Sequence, residues 1–313
     1  MPTGAGKSHV IKLIIEALGL RTLVIVPNLN IKAQMKETLK DLKNVTVENI
    51  DSNTLNKDGN YDVLIIDEAH RAAAKTFHKL NKKMWNGIYY RYFMTATFFR
   101  NDSEESLLLE AICGQLIYKL TYKDAVNRGY IVPVDAFFYQ VPKQKTNADT
   151  YQEVYRELVV HNEIRNIMIG TILSRLNGIP TLCLVKEIIH GKILSEMTGI
   201  PFVYGEDEMT KDYIRQFNNG EIKALIGTTG VVSEGIDTKP CEYVIIAGLG
   251  RAKSNLMQSV GRCLRTYPGK DSGKVIIFKD NSHRFLLRHF NDQKNVLLDE
   301  YRVEPVKLEI TNN

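Results

Sequence analysis

The feature that most restricts what this chain can fold into is a rhythm. Short apolar runs rich in β-branched residues alternate with stretches of helical spacing, in two successive series. Leu23-Val24-Ile25-Val26-Pro27, Val63-Leu64-Ile65-Ile66 and Tyr92-Phe93-Met94 make up the first. Thr181-Leu182-Cys183-Leu184-Val185, Phe202-Val203-Tyr204, Ala224-Leu225-Ile226, Tyr243-Val244-Ile245-Ile246 and Val275-Ile276-Ile277-Phe278 make up the second. A strand with one wet face alternates apolar and polar residues, whereas a strand apolar throughout has both faces covered, as in a parallel sheet flanked by helices. Ile31 to Leu42 carries the helical spacing that such cover needs. The rhythm predicts an α/β chain with two mostly parallel sheets. Its 313 residues suit two domains at roughly 100–200 residues each. Gly129-Tyr130-Ile131-Val132-Pro133 and the polar stretch from Lys143 to Asp149 separate the series, which places the boundary at Val132 and the domains at 1–132 and 133–313.

Composition narrows the class. Apolar residues at 44% and charged residues at 25% are the balance of a soluble globular protein. The formal charge of +5 permits a polyanionic partner without requiring one. Cys113, Cys183, Cys241 and Cys263 lie far apart, without the spacing of a zinc or redox site, and read as small apolar residues in a reducing compartment. No apolar run approaches the ~20 residues of a membrane span. No targeting segment opens the chain at Met1-Pro2-Thr3-Gly4. The expectation is a soluble protein of the cytoplasm.

Two motifs carry chemistry. Pro2-Thr3-Gly4-Ala5-Gly6-Lys7-Ser8 opens a helix that continues through Val10, Leu13 and Ile14. Glycines let successive N–H groups turn inward toward a phosphate, and the helix start adds its positive dipole end. Lys7 then neutralises the β and γ phosphates and Ser8 holds Mg²⁺. The ordinary alternative is a glycine turn, and Met1 stands where the strict pattern has glycine. Asp67-Glu68-Ala69-His70 follows the run Val63 to Ile66, which puts two carboxylates at the end of a buried strand. Asp67 suits Mg²⁺ and Glu68 suits the attacking water. The alternative there is an acidic helix cap.

With both motifs in place the chain resembles a DEAD/DEAH-box superfamily 2 helicase, and further motifs follow in that family's order. Val24-Ile25-Val26-Pro27 with Gln34 resembles motif Ia, Thr95-Ala96-Thr97 motif III, and Leu184-Val185-Lys186 with His190-Gly191 motif IV. Gly227-Thr228-Thr229-Gly230 through Glu234-Gly235-Ile236-Asp237 resembles motif V, and Gln258 through Arg265 motif VI. The resemblance runs from Pro2 to about Tyr301. It implies two RecA-like lobes with ATP and Mg²⁺ between them and nucleic acid as partner. Pro2 to Ser8, Gly235, Asp237 and Gln258 would line the nucleotide, while His70, Thr95 and Thr97 would couple it to the strand groove.

Gln258, Arg262 and Arg265 stand at i, i+4 and i+7, and a helix there would put them on one face. Arg262 and Arg265 would then reach the γ-phosphate; the alternative is a solvated basic face. Ala96 to Asp102, Gly129 to Pro133 and His161-Asn162-Glu163-Ile164-Arg165-Asn166 look most like bacteriophage and bacterial DNA helicases related to branch-migration motors. That favours DNA over RNA.

The family also carries a strand just before the phosphate loop and an adenine-reading glutamine further upstream, whereas this chain begins inside the loop. The expectation is a first lobe truncated at its N-terminus, the larger piece of a longer or split protein, binding ATP weakly by itself. Two rivals remain: a translocase that never separates strands, and a non-catalytic nucleic-acid-binding remnant.

Overall fold

The computed structural model describes residues 1–50, 60–69, 85, 87–96, 104–205, 207–233, 240–248 and 253–309. They form two compact units, Met1–Thr121 and Tyr122–Asn313.

The first unit runs α1 (Lys7–Leu18), β1 (Thr22–Val26), α2 (Leu29–Thr38), β2 (Val45–Asn49), β3 (Val63–Ile66), β4 (Tyr90–Phe93) and α3 (Glu104–Cys113). Among the described residues its sheet has the order β2-β1-β3-β4, with every pairing parallel. All of β1 and β3 is buried, and the period of two in a strand explains how. Val24, Val26, Val63 and Ile65 pack with Ile11, Ile15, Met35 and Leu39 from α1 and α2 on one face. Leu23, Ile25, Leu64 and Ile66 pack with Trp85, Ile88 and Ile112 on the other. Each such side chain contributes about 1.5–3 kcal/mol on leaving water, so neither face tolerates a charge. The β1–β3 register pairs Ile25 with Ile66, bringing their carboxyl ends level.

The second unit runs α4 (Tyr122–Asn127), β5 (Val134–Val141), α5 (Tyr151–Tyr155), a π-helical turn (Arg156–Val160), α6 (Glu163–Arg175), β6 (Thr181–Val185), α7 (Ile188–Thr198), β7 (Phe202–Val203) and α8 (Thr210–Asn219). It continues with β8 (Ala224–Thr228), α9 (Thr229–Ser233), β9 (Tyr243–Ile246), α10 (Lys253–Gly261), β10 (Gly273–Asp280), α11 (Arg284–Tyr301) and β11 (Val306–Leu308). Its sheet, again parallel throughout, has the order β11-β5-β10-β9-β6-β8-β7.

The two-sheet α/β architecture expected from the rhythm is the one found. Three strands escaped it: β2, β5 and β11. The change of unit also falls at Thr121 and Tyr122, ahead of Val132. The Tyr122 hydroxyl accepts from the Val134 N–H at 2.8 Å, and its ring meets Tyr301 edge-on at 5.1 Å, which ties α4 to the second unit. Among the described residues no helix is long and apolar enough to cross a membrane.

Candidate nucleotide site

Gly4 and Gly6 shape the opening loop. Their φ angles of 86° and 89° lie in the left-handed region, which costs a residue with a Cβ ~1–2 kcal/mol. Ala5 N donates to Pro2 O at 3.3 Å, and His9 N and Val10 N donate to Gly6 O, so α1 starts at the second glycine. Among the described residues no carbonyl accepts from the N–H of Gly6, Lys7 or Ser8, and no side chain caps the helix. A Cβ built on Gly6 would have nothing within 4 Å. Unsatisfied donors facing open space, at the positive end of a 12-residue helix, fit a phosphate group.

The strands deliver the carboxylates to the same place. Asp67 N donates to Ile25 O at 3.0 Å and Ala69 N to Met94 O at 2.8 Å, which holds the exit of β3 between its neighbours. Glu68 adopts a left-handed φ of 52°, unusual for a residue with a long side chain, and its N–H turns back onto Asp67 Oδ1 at 2.9 Å. In that conformation Glu68 Oε1 accepts from Lys7 Nζ at 2.5 Å, and Asp67 Oδ1 lies 3.5 Å from the same nitrogen.

The three side chains are only 11%, 9% and 16% exposed for Lys7, Asp67 and Glu68, so the charges interact with little screening. Burial alone would lower the Lys7 pKa, but Asp67 and Glu68 outweigh it and hold the ammonium charged. Asp67 is pushed upward, chiefly by burial and further by Glu68, with Lys7 opposing. Ser8 is exposed on the first turn of α1, next to Lys7. The loop entry is fixed as well, because the Met1 amino group donates to Thr95 O at 3.1 Å. One cation, two carboxylates and free amides thus share one corner of the first unit, the donor set of a polyphosphate with a divalent cation.

In the second unit Gln258 sits half-buried on α10. The helix ends at Gly261, however, so Gln258, Arg262 and Arg265 do not share a helical face. Arg262 N and Cys263 N donate to Ser259 O and Val260 O in tight turns that end the helix. Arg265 lies in an antiparallel bridge with Ile131, and Val132 N donates to Leu264 O at 2.8 Å. Burial of Cys263 and Leu264 drives the departure from helix, since both are almost fully enclosed. Arg262 is 5% exposed, and burial depresses the pKa of Arg265. His70, Thr97, Gly235 and Asp237 lie outside the described residues.

Sequence reasoning missed a buried polar group in the second unit. Asn166 Oδ1 bonds His190 Nε2 at 3.0 Å, Arg165 Nη2 donates to Ala247 O at 3.0 Å, and Arg165 Nη1 lies 3.7 Å from Asp280 Oδ2. The cluster His161 to Asn166 was the available signal, since three of its five polar residues, Asn162, Arg165 and Asn166, turn inward at a helix start.

Comparison with known proteins follows this division. Residues 158–267 match the family described as Helicase conserved C-terminal domain. Residues 1–58 and 45–100 match Type III restriction enzyme, res subunit. A helicase C-terminal match in the second unit and a restriction-motor match in the first are the pairing expected of a superfamily 2 helicase.

The chain is 25% identical over 266 residues to "Putative helicase 22" of Sulfolobus islandicus filamentous virus, covering 77% of the chain and 46% of that protein. It is 24% identical over 338 aligned positions to "DNA 3'-5' translocase XPB2" of Sulfurisphaera tokodaii, covering 88% and 76%. The chain therefore spans about half the length of the first relative. Similar folds include a fragment of a type I restriction HsdR subunit from Vibrio vulnificus, with TM-score 0.71 at 16% identity, covering 99% of this chain and 63% of that one. The Type ISP restriction-modification enzyme LlaBIII bound to DNA gives 0.69 at 14%, covering 100% and 30%. Yeast Dbp5 bound to RNA and ADP BeF3 gives 0.68 at 14%, covering 98% and 84%. The two RecA-like lobes expected of the fold are the architecture found.

Proposed function

We propose that this chain is the ATP-hydrolysing motor of a nucleic-acid helicase or translocase, acting on DNA rather than RNA and of viral origin. The observation that carries the reading is the meeting of Lys7, Asp67 and Glu68 below unsatisfied loop amides. Thr3, Gly4, Gly6 and Lys7 take the phosphates of ATP, and Ser8 and Asp67 would hold Mg²⁺, which supplies charge neutralisation when bound. Lys7 already has an anionic partner in Glu68. A triphosphate offers it another, and that exchange releases Glu68 to orient water and accept its proton. Arg262 and Arg265 neutralise charge that develops on the γ-phosphate during transfer. Pro2, Ala5, Gly235, Asp237 and Gln258 serve as contacts to the nucleotide, and His70, Thr95 and Thr97 as coupling to the strand. The DNA preference and the viral origin are supported by the two relatives, one named a DNA translocase and one encoded by a virus.

ATP turnover measured with and without single-stranded DNA tests the reading. Lys7→Ala should reduce DNA-stimulated turnover by about 10²–10³-fold, as loss of one stabilising group in phosphoryl or acyl transfer does. Turnover at background in both the parent and Lys7→Ala would leave the non-catalytic remnant in its place. A second reading, translocation without unwinding, is favoured by the restriction-motor match over the first unit. Displacement of a triplex strand without displacement of a duplex strand would select it.

A further inference from the structure

The main chain that bears Arg265 is gripped from three sides, and Lys270, on the first of them, lies outside every motif named above. Lys270 Nζ donates to Arg265 O at 2.9 Å and to Cys241 O at 2.6 Å, bridging the segment after α10 to the one before β9. Lys270 is presented by a turn closed by its own N–H onto Tyr267 O at 3.0 Å, with Gly269 in the left-handed region. On the opposite side Ile131 bridges Arg265, and Val132 N bonds Leu264 O. The third contact is steric. Gly273, whose N–H donates to Pro133 O at 2.8 Å, lies so close to the chain that a Cβ there would sit 2.3 Å from Cys263 O. Ile131, Val132, Cys263 and Leu264 are all buried, so the main-chain part of the grip lies in a low-dielectric setting where its hydrogen bonds are stronger than in water.

A side chain at a helix end normally inherits its direction from the helix. Arg265 does not, because α10 has stopped at Gly261. Its main chain is held by this grip, to which, among the described residues, Lys270 contributes through a charged side chain. An ammonium with two carbonyl acceptors makes stronger bonds than a neutral donor would, about twice as strong.

We propose that Lys270 is a positioning residue for phosphoryl transfer, fixing the main chain at Arg265 so that its guanidinium meets the γ-phosphate. The proposal rests on the ATPase reading above and extends it to a residue outside the helicase motifs.

The test uses the full chain with Lys270→Met, which keeps the stem and removes the donor, and with Lys270→Arg, which can still donate to two carbonyls. Lys7→Ala and Arg265→Ala serve as controls. Lys270→Met should lower kcat about 10–100-fold while moving KM for ATP less than about threefold, because a geometric fault of this kind acts on the transition state. It should also erase most of the preference for ADP with fluoroberyllate over ADP alone, and Lys270→Arg should restore that preference. In the Arg265→Ala background Lys270→Met should change the preference no further, since a residue acting through Arg265 has nothing left to act on. Amide exchange at Cys263 to Arg265 should rise in Lys270→Met relative to the rest of the second unit; Lys270→Gln repeats the measurement should the methionine variant not fold.

Full fluoroberyllate preference in Lys270→Met, a further loss in the Arg265→Ala background, or unaltered exchange at Cys263 to Arg265 would each overturn the proposal. Turnover and nucleotide binding insensitive to both Lys7→Ala and Arg265→Ala would overturn the ATPase reading instead. The exchange result would then still report whether Lys270 grips the chain.

Discussion

At the scale of single residues, Glu68 is the informative one. Its left-handed backbone costs of order 1–3 kcal/mol, and the return is a carboxylate that reaches Lys7 across the mouth of the loop. Asp67 needs no such strain, since β3 already aims it. The pair therefore divides the work, with Asp67 fixed and Glu68 exchangeable. Glu68→Gln keeps the shape and removes the base. It should bind ATP with affinity within about threefold of the parent while turnover falls by 10²-fold or more, a loss of the size that general bases typically supply. Isothermal titration beside a phosphate-release assay separates the two quantities. An equal loss in both would mean that Glu68 serves binding alone. Of this corner, the identities of Lys7, Asp67 and Glu68 were legible from motif spacing, but the ion pair was not. Which partner a lysine takes in the absence of a phosphate depends on a backbone angle at residue 68 that no motif encodes.

At the scale of elements, the sequence was legible where periodicity had a single cause. β1, β3, β6 and β9 are apolar but for the leading threonines of β1 and β6 because both faces are covered, and they lie within a residue of where the rhythm put them. β5 was missed because Asp135 and Gln140 interrupt its run; Asp135 points to solvent and accepts from Ser272 at 2.7 Å. The motif VI helix was misread for the opposite reason. Spacing of i, i+4 and i+7 suits a helix, yet pairing with Ile131 and burial of Leu264 draw the last residues into extended chain.

The π-helical turn at Arg156 to Val160 has no sequence signature either, but its consequence is visible. Asn162 Nδ2 and Asn166 Nδ2 donate to Leu158 O and Val160 O, so two asparagines satisfy carbonyls of the wide turn. Asn166 in turn fixes His190, whose pKa is lowered to about 3, first by burial and then by Arg165 and His161. A base depressed in the folded state stays neutral while the unfolded chain takes up a proton. Stability is therefore complete above about pH 6.5 and is lost as pH falls toward 3, at about 1.4 kcal/mol per pH unit. Urea unfolding of the second unit, followed by circular dichroism from pH 7 to pH 5, should show that slope in the parent and lose it in His190→Leu. Identical slopes would mean that His190 titrates in the folded state.

At the scale of the whole molecule, the charge of +5 is small for 313 residues, so on the proposed reading nucleic acid is held by local contacts rather than a global field. For a motor that grips phosphates, binding of single-stranded DNA should fall with salt at a slope of about −0.7 per phosphate neutralised and change little with base sequence. Fluorescence anisotropy from 50 to 200 mM salt measures both. Strong sequence preference with a flat salt response would contradict a backbone-tracking motor.

The order of strands in the second sheet sets a timetable for synthesis. β5 is the earliest strand of that unit, yet it pairs only with β10 and β11, the latest, and Gln140 reaches across to Lys279 O over 139 residues of chain. At ribosomal rates of about 5–20 residues per second, that interval lasts roughly 7–28 s. Throughout it Phe137, Phe138 and Tyr139 stand without the strand that will cover their edge. The first strand of the nascent second unit thus waits for its partner until β10 emerges, and slowing translation before that point would lengthen the exposure.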